Sequence, residues 1–260
     1  MNYETILIEK KENIGIIKLN NPSKKNALGT KLINELTDAL EQLEDDPQVY
    51  VTVIMSNLPK VFCAGRDLSE GSTENIIEQR EFSGRAAQLW LTFMSLKKVV
   101  ISAVNGYALA GGCGLVVCSD LVIASEDAIF GLPEINVGLF PMTIAPAMIR
   151  NTASLKKCFE IFVTGDQFDA AEAEKMGIIN RVVPSDMLEN EAMKLAKKIA
   201  SKSPTVLQMG KECFYTMMDM EYKNAVAYAK ESISLMAFSD DGREGQKAFK
   251  EKRKPQWKQL

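Results

Sequence analysis

The 260 residues are 46% hydrophobic and 25% charged, with a formal net charge of −3. This balance suits one large globular domain, or a core with a small appendage, and offers no global attraction to nucleic acid or to an anionic membrane. The chain contains no histidine, which excludes Ser-His-Asp and Cys-His nucleophile machinery and every His-ligated metal site, and leaves acid–base work to Asp, Glu, Lys, Tyr or Cys. Residues 3–8 and 14–19 read as strands around a polar turn. Residues 30–43 read as a helix, because Leu32, Ile33, Leu36, Leu40 and Leu43 fall on one face. The β-branched runs 49–55 and 99–104, and the shorter 121–124, suit buried strands. A charge-rich stretch over 69–84 precedes a helix expected over 85–96. From 154 onward the pattern is mostly helical, with helices expected over 155–163, 170–176, 187–202, 204–217 and 224–236. Strands alternating with helices argue for an α/β fold with a layered sheet.

No apolar run reaches membrane-spanning length, and residues 1–10 alternate polar and apolar rather than forming a signal-peptide core. The chain therefore reads as cytoplasmic, or as a mature form without its targeting segment. Cys63, Cys113, Cys118, Cys158 and Cys213 are an odd, scattered set with no CxxC pair, which reads as buried free thiols in a reducing compartment. No metal site is expected.

Two loops share a physical character. Phe62-Cys63-Ala64-Gly65-Arg66-Asp67-Leu68 and Asn105-Gly106-Tyr107-Ala108-Leu109-Ala110-Gly111-Gly112 each follow a strand, contain small residues and precede a helical segment. Such loops aim backbone N–H groups and a helix dipole at an anion, and small residues let a ligand approach. Side by side they would make an oxyanion hole. One glycine pair alone reads as a tight strand-to-helix connection.

These loops resemble those of the crotonase (enoyl-CoA hydratase/isomerase) superfamily. So do Phe130-Gly131-Leu132-Pro133-Glu134 with Gly138 and Pro141, then Thr164-Gly165, Gly177-Ile178-Ile179-Asn180, Val182-Val183-Pro184 and the tail Glu251-Lys252-Arg253-Lys254-Pro255. The resemblance covers nearly the whole chain in order. It implies an α/β fold, a crotonase-type spiral of ββα units, with an acyl-CoA-binding catalytic core over residues 1–200 and a C-terminal helical oligomerisation region over 201–260. It also implies a homo-oligomer, a trimer or dimer of trimers. The only cofactor implied is the coenzyme A that forms part of the substrate, and neither nucleic acid nor membrane is an expected partner.

Residue by residue, the resemblance places the oxyanion hole on the backbone N–H groups of Arg66 and Gly111. Ala64, Asp67 and Leu68 are expected along the acyl-CoA channel, and Ser23, Lys24 and Lys25 near the adenine and phosphates. Gly112, Gly114, Pro133 and Met142 complete the expected substrate contacts. Hydratases of the family carry two glutamates. The second corresponds to Glu134; the first falls twenty positions earlier, on Gly114. Gly114 makes room for a bulky acyl group, or reflects drift or close helix packing. One carboxylate suffices to carry a proton from C2 to C4 of a 3-enoyl thioester, so Δ3–Δ2 isomerisation by Glu134 is favoured. Alternatives are hydration through a water held by Glu134, acyl-CoA decarboxylation or hydrolysis, and a non-catalytic CoA- or RNA-binding homologue. A replacement acid could come from Glu70, Glu74, Glu78 or Glu81. Met142 and Ile144 suggest a reshaped acyl pocket.

Overall fold

The computed structural model describes residues 3–70 and 75–258. Strands β1 (Ile6–Lys11) and β2 (Ile14–Leu19) form an antiparallel hairpin, reversed by a tight turn in which Glu12 takes a positive φ of 56°. Strand β3 (Val51–Ser56) pairs in parallel with β2. It is followed by the short β4 (Val61–Cys63), and the pattern repeats as β5 (Val99–Val104) with β6 (Tyr107–Leu109) and as β7 (Leu121–Ser125) with β8 (Ile129–Gly131). Two late strands, β9 (Gln167–Asp169) and β10 (Arg181–Val183), complete two sheets of order β1-β2-β3-β5-β7-β10 and β4-β6-β8-β9.

An α-helix follows each of the first three strand pairs: α1 (Thr30–Asp45) after β1–β2, α2 (Ile76–Ser95) after β3–β4, and α3 (Gly111–Cys118) after β5–β6. This is the expected ββα repetition. Because β4, β6 and β8 run parallel as neighbours, the segments leaving their C-terminal ends emerge together.

The central strands of the long sheet, β2, β3, β5 and β7, are buried on both faces, which explains their unbroken apolar runs. Val51, Val53 and Met55 of β3 enter one core with Leu188, Ala192 and Ala196 of a helix at Leu188–Ala200. Ile54, one residue out of phase, enters the other core with Leu36, Leu40 and Phe62. The period of two in side-chain direction thus divides one strand between two cores.

The remaining helices, taken in order, are α4 (Ala145–Asn151), α5 (Leu155–Thr164), α6 (Ala170–Lys175), α7 (the Leu188–Ala200 helix), α8 (Pro204–Met218), α9 (Tyr222–Phe238) and α10 (Asp240–Lys250). Two expectations need correction. Helix α2 begins nine residues earlier than the apolar spacing indicated, because Asn75 caps it, its side chain accepting from the Ile77 N–H at 2.9 Å. Helix α10 was not expected at all. Ser239 caps it, accepting from the Gly242 N–H at 3.0 Å.

Helix α8 is tied to the long sheet through Asp120. That carboxylate accepts from Lys211 Nζ at 2.7 Å, the Tyr215 hydroxyl at 2.9 Å and the Val100 N–H at 2.7 Å. Beyond this anchor Phe214, Ile233, Leu235, Phe238 and Phe249 are exposed. All five cysteines are free, and Cys63, Cys113 and Cys158 are buried. Among the described residues no helix is long and apolar enough to cross a membrane.

Candidate active site

The segments after β4, β6 and β8 meet around a cavity of about 200 Å³. In the first, Gly65 takes a φ of +93°, open to glycine and costly for other residues. Leu28 bridges to this segment, donating its N–H to the Gly65 carbonyl at 2.6 Å and accepting from the Asp67 N–H at 3.2 Å. The intervening Arg66 N–H therefore faces the opposite side.

In the second segment, Ala110 takes φ 48° and ψ −121° and donates its N–H to the Gly131 carbonyl at 2.8 Å. This conformation is rare for a residue with a Cβ and costs about 1–3 kcal/mol. It turns the chain into α3, so that the Gly111 N–H lies in a first helical turn, where amides lack intrahelical acceptors. The two segments touch. A Cβ placed on Gly111 would lie 3.8 Å from the Arg66 nitrogen, and one on Gly65 would lie 3.3 Å from the Gly111 nitrogen. Gly112 holds the loops in register: its Cβ would fall 2.3 Å from the Cys63 carbonyl oxygen.

The third segment is a 3-10 turn, Pro133–Val137, closed by Gly138 in the left-handed region. It delivers Glu134 to the cavity wall. Glu134 Oε2 is buried with no hydrogen-bond partner among the described residues. Burial raises this carboxyl above its ordinary value of 4.5, against a smaller opposing pull from its own backbone N–H. Glu134 is the only Asp or Glu among the described residues lining the cavity.

Gly114 lies one turn into α3, and its vacant side-chain space is filled. A Cβ there would meet Trp90 Cη2 at 2.9 Å, Trp90 Cζ2 at 3.0 Å and Ile144 Cγ1 at 3.2 Å. Among the readings of this glycine, the geometry matches close helix packing, with α2 laid against α3, rather than space left for an acyl group.

Met142 lines the cavity, as do Arg66 and Gly111. Ala64, Asp67, Leu68, Gly112 and Pro133 do not. Leu68 is exposed. Asp67 is committed elsewhere: it lies 3.3 Å from Lys24 Nζ and accepts from the Ser69 N–H and hydroxyl at 2.9 and 2.6 Å. Burial works to raise its carboxyl, but the bonds from Ser69 and Lys24 outweigh that and hold it below the ordinary range. Ser23, Lys24 and Lys25 form an exposed turn on the same loop edge, where Lys24 Nζ also donates to Ser69 Oγ at 2.6 Å.

Glu70 is corrected as a candidate acid. Its Oε2 accepts from the Thr30 N–H at 2.7 Å, capping the start of α1. Glu78 and Glu81 are exposed on α2, and Glu74 lies outside the described residues.

Sequence reasoning valued Arg66 for its backbone and missed its side chain. The guanidinium lies 4.3 Å over the Phe82 ring, donates to Gln79 Oε1 at 3.1 Å, and has its pKa lowered by burial. Phe82 and Trp90 also line the cavity. Their eight-residue spacing on one helix was a usable signal, lost because the helix was started too late.

A family model described as "Enoyl-CoA hydratase/isomerase" matches residues 9–260. The chain belongs to the enoyl-CoA hydratase/isomerase (crotonase) family. It is 35% identical over 257 residues to a probable enoyl-CoA hydratase of Mycobacterium tuberculosis, covering 99% of each chain. To the crotonyl-CoA hydratase of Syntrophomonas wolfei it is 32% identical over 254 residues, covering 98% of each. The fold superposes on the crystal structure of an enoyl-CoA hydratase from Mycobacterium smegmatis with a TM-score of 0.93 at 33% identity, over 98% of this chain and 99% of that one. For human enoyl Coenzyme A hydratase domain-containing protein 3 the TM-score is 0.94 at 32% identity, over 98% and 100%. The fold is thus crotonase-type α/β, and the chain is an acyl-CoA enzyme of the enoyl-CoA hydratase/isomerase type.

Proposed function

We propose that the enzyme moves the double bond of a 3-enoyl-CoA to the conjugated position, with Glu134 as its single acid–base group. The observation that carries this reading is the Trp90 ring packed against Gly114, which leaves Glu134 as the one carboxylate among the described residues in the cavity wall. The Glu134 carboxylate removes a proton from C2. The electron pair left behind delocalises through the C3–C4 double bond and the thioester carbonyl, placing negative charge on the carbonyl oxygen. The N–H groups of Arg66 and Gly111 hold that charge. Protonated Glu134 then returns its proton at C4, and the double bond comes to rest between C2 and C3. No atom is gained or lost.

Ser23, Lys24 and Lys25 would hold the coenzyme A phosphates, with Lys252 to Lys254 of the tail as further cations. The exposed apolar side chains of α8 to α10 suit assembly of a homo-oligomer. A second reading, hydration of a 2-enoyl-CoA through a water held by Glu134, is favoured by the hydratase names of the relatives.

Conjugated-thioester absorbance separates the two. Isomerisation raises it from a 3-enoyl-CoA, whereas hydration lowers it from a 2-enoyl-CoA. A fall with the second substrate and no rise with the first overturns the isomerase reading.

A further inference from the structure

Trp90 stands between two cavities. The smaller, about 200 Å³, has Gly111 and Glu134 in its wall. The larger, about 640 Å³, is an open groove bordered by apolar side chains that include Leu91, Met94, Ala147 and Ile149, and by Asp120, Arg150 and Asp219. Trp90, Met142 and Thr143 belong to both walls. Met142 is 67% exposed, whereas Trp90 is 8% exposed. The indole is therefore the fixed part of the partition. Its Cη2–Cζ2 edge is seated on the α3 backbone at Gly114, with Ile144 against the same point. Any side chain at 114 would displace the ring, so Gly114 and Trp90 act as a matched pair.

The chemical consequence concerns chain length. An aliphatic chain gains affinity with every methylene it buries, about fourfold each. The larger cavity offers apolar wall for such a chain, and the ring closes the way to it from Glu134. We propose that Trp90 sets the acyl-length limit of this enzyme, confining it to short-chain acyl-CoA thioesters. The inference rests on the acyl-CoA reading but not on which reaction follows.

The test is calorimetric titration with the saturated thioesters butanoyl-, hexanoyl-, octanoyl- and dodecanoyl-CoA, which cannot isomerise or be hydrated. For the unaltered enzyme, affinity should stop rising beyond hexanoyl-CoA. In Trp90→Ala, octanoyl-CoA should bind about sixteenfold tighter than hexanoyl-CoA, as two further methylenes become buried. Trp90→Leu, which keeps more of the packing, should shift the same way by less, and serves if Trp90→Ala does not fold. Adding Ala147→Trp to either variant fills the larger cavity and should restore the flat profile. A profile in the unaltered enzyme that climbs through dodecanoyl-CoA overturns the inference, as does one that Trp90→Ala and Trp90→Leu leave unchanged. No binding of any acyl-CoA overturns the acyl-CoA reading along with it. Loss of the isomerase reading alone leaves these affinities as expected.

Discussion

Gly65 and Ala110 face each other so closely that only one of them can carry a side chain: a Cβ on Gly65 would lie 2.6 Å from the Ala110 Cβ and 2.6 Å from the Leu109 carbonyl oxygen. Gly65→Ala should therefore part the two loops as well as strain a φ of +93°. If the Arg66 and Gly111 amides act together, kcat should fall about 100-fold or more, the usual effect of losing one oxyanion donor. Steady-state kinetics on a 3-enoyl-CoA measures this, with circular dichroism to show that the variant is folded. A folded Gly65→Ala variant of normal kcat would remove the paired amides from the mechanism.

Glu134→Gln keeps the shape of the side chain and abolishes proton transfer. Turnover should drop by about 10²–10⁴, while coenzyme A still binds in a titration. Unchanged turnover would take Glu134 out of the chemistry.

The pH dependence follows from the buried carboxyl. Catalysis needs the ionised form, so the acidic limb of kcat/KM should lie above the ordinary glutamate value of 4.5. For stability the sign is opposite to that of a paired carboxylate. The folded protein binds this proton more tightly than the unfolded chain, so between the two pKa values stability falls as pH rises. The penalty is full above the folded pKa and vanishes below the unfolded one. Glu134→Gln should accordingly unfold at a higher temperature than the unaltered enzyme at pH 8, with the gap closing towards pH 4. A gap independent of pH would mean that burial does not perturb this carboxyl.

Gly114→Glu restores the residue type of a two-glutamate hydratase but not the site. Trp90 and Ile144 occupy the space, so overpacking should cost about 1–3 kcal/mol in denaturant unfolding, with no gain of hydratase activity. A stable Gly114→Glu variant that hydrates 2-enoyl-CoA would show that the ring yields.

Glu70→Ala should lose about 1 kcal/mol of stability, as expected for a lost helix cap, and leave kcat within a few-fold. A large loss of kcat would return Glu70 to the list of acids.

Much of this was legible in the sequence where a local rule and the tertiary outcome agree. The face of α1 was readable from Leu32, Ile33, Leu36, Leu40 and Leu43, all of which are buried. The runs that became β3 and β5 were readable because a sheet covered on both sides tolerates no polar alternation. The two small-residue loops were visible as anion-directed backbone. Legibility failed where exposed apolar and charged residues are mixed. Ile76 and Ile77 begin α2 at 70% and 65% exposure, and the charges around them read as loop. In α10, Gly242 and Gly245 are poor helix formers. Their reason is close approach: a Cβ on Gly242 would lie 2.1 Å from the Met236 carbonyl oxygen, and one on Gly245 would lie 3.3 Å from the Trp257 ring. No local pattern pairs Gly114 with Trp90, because that contact joins two helices twenty-four positions apart.

The positive φ of Ala110 bears on how a ligand is received. Alanine explores fewer unfolded conformations than glycine, and here it is held in an unfavourable one by the Gly131 carbonyl and by Gly65. The direction of the Gly111 amide is thus set during folding, before any thioester arrives. Binding then has little loop ordering left to do, and the entropy of fixing that donor is borne by the fold as a whole rather than by the encounter with substrate.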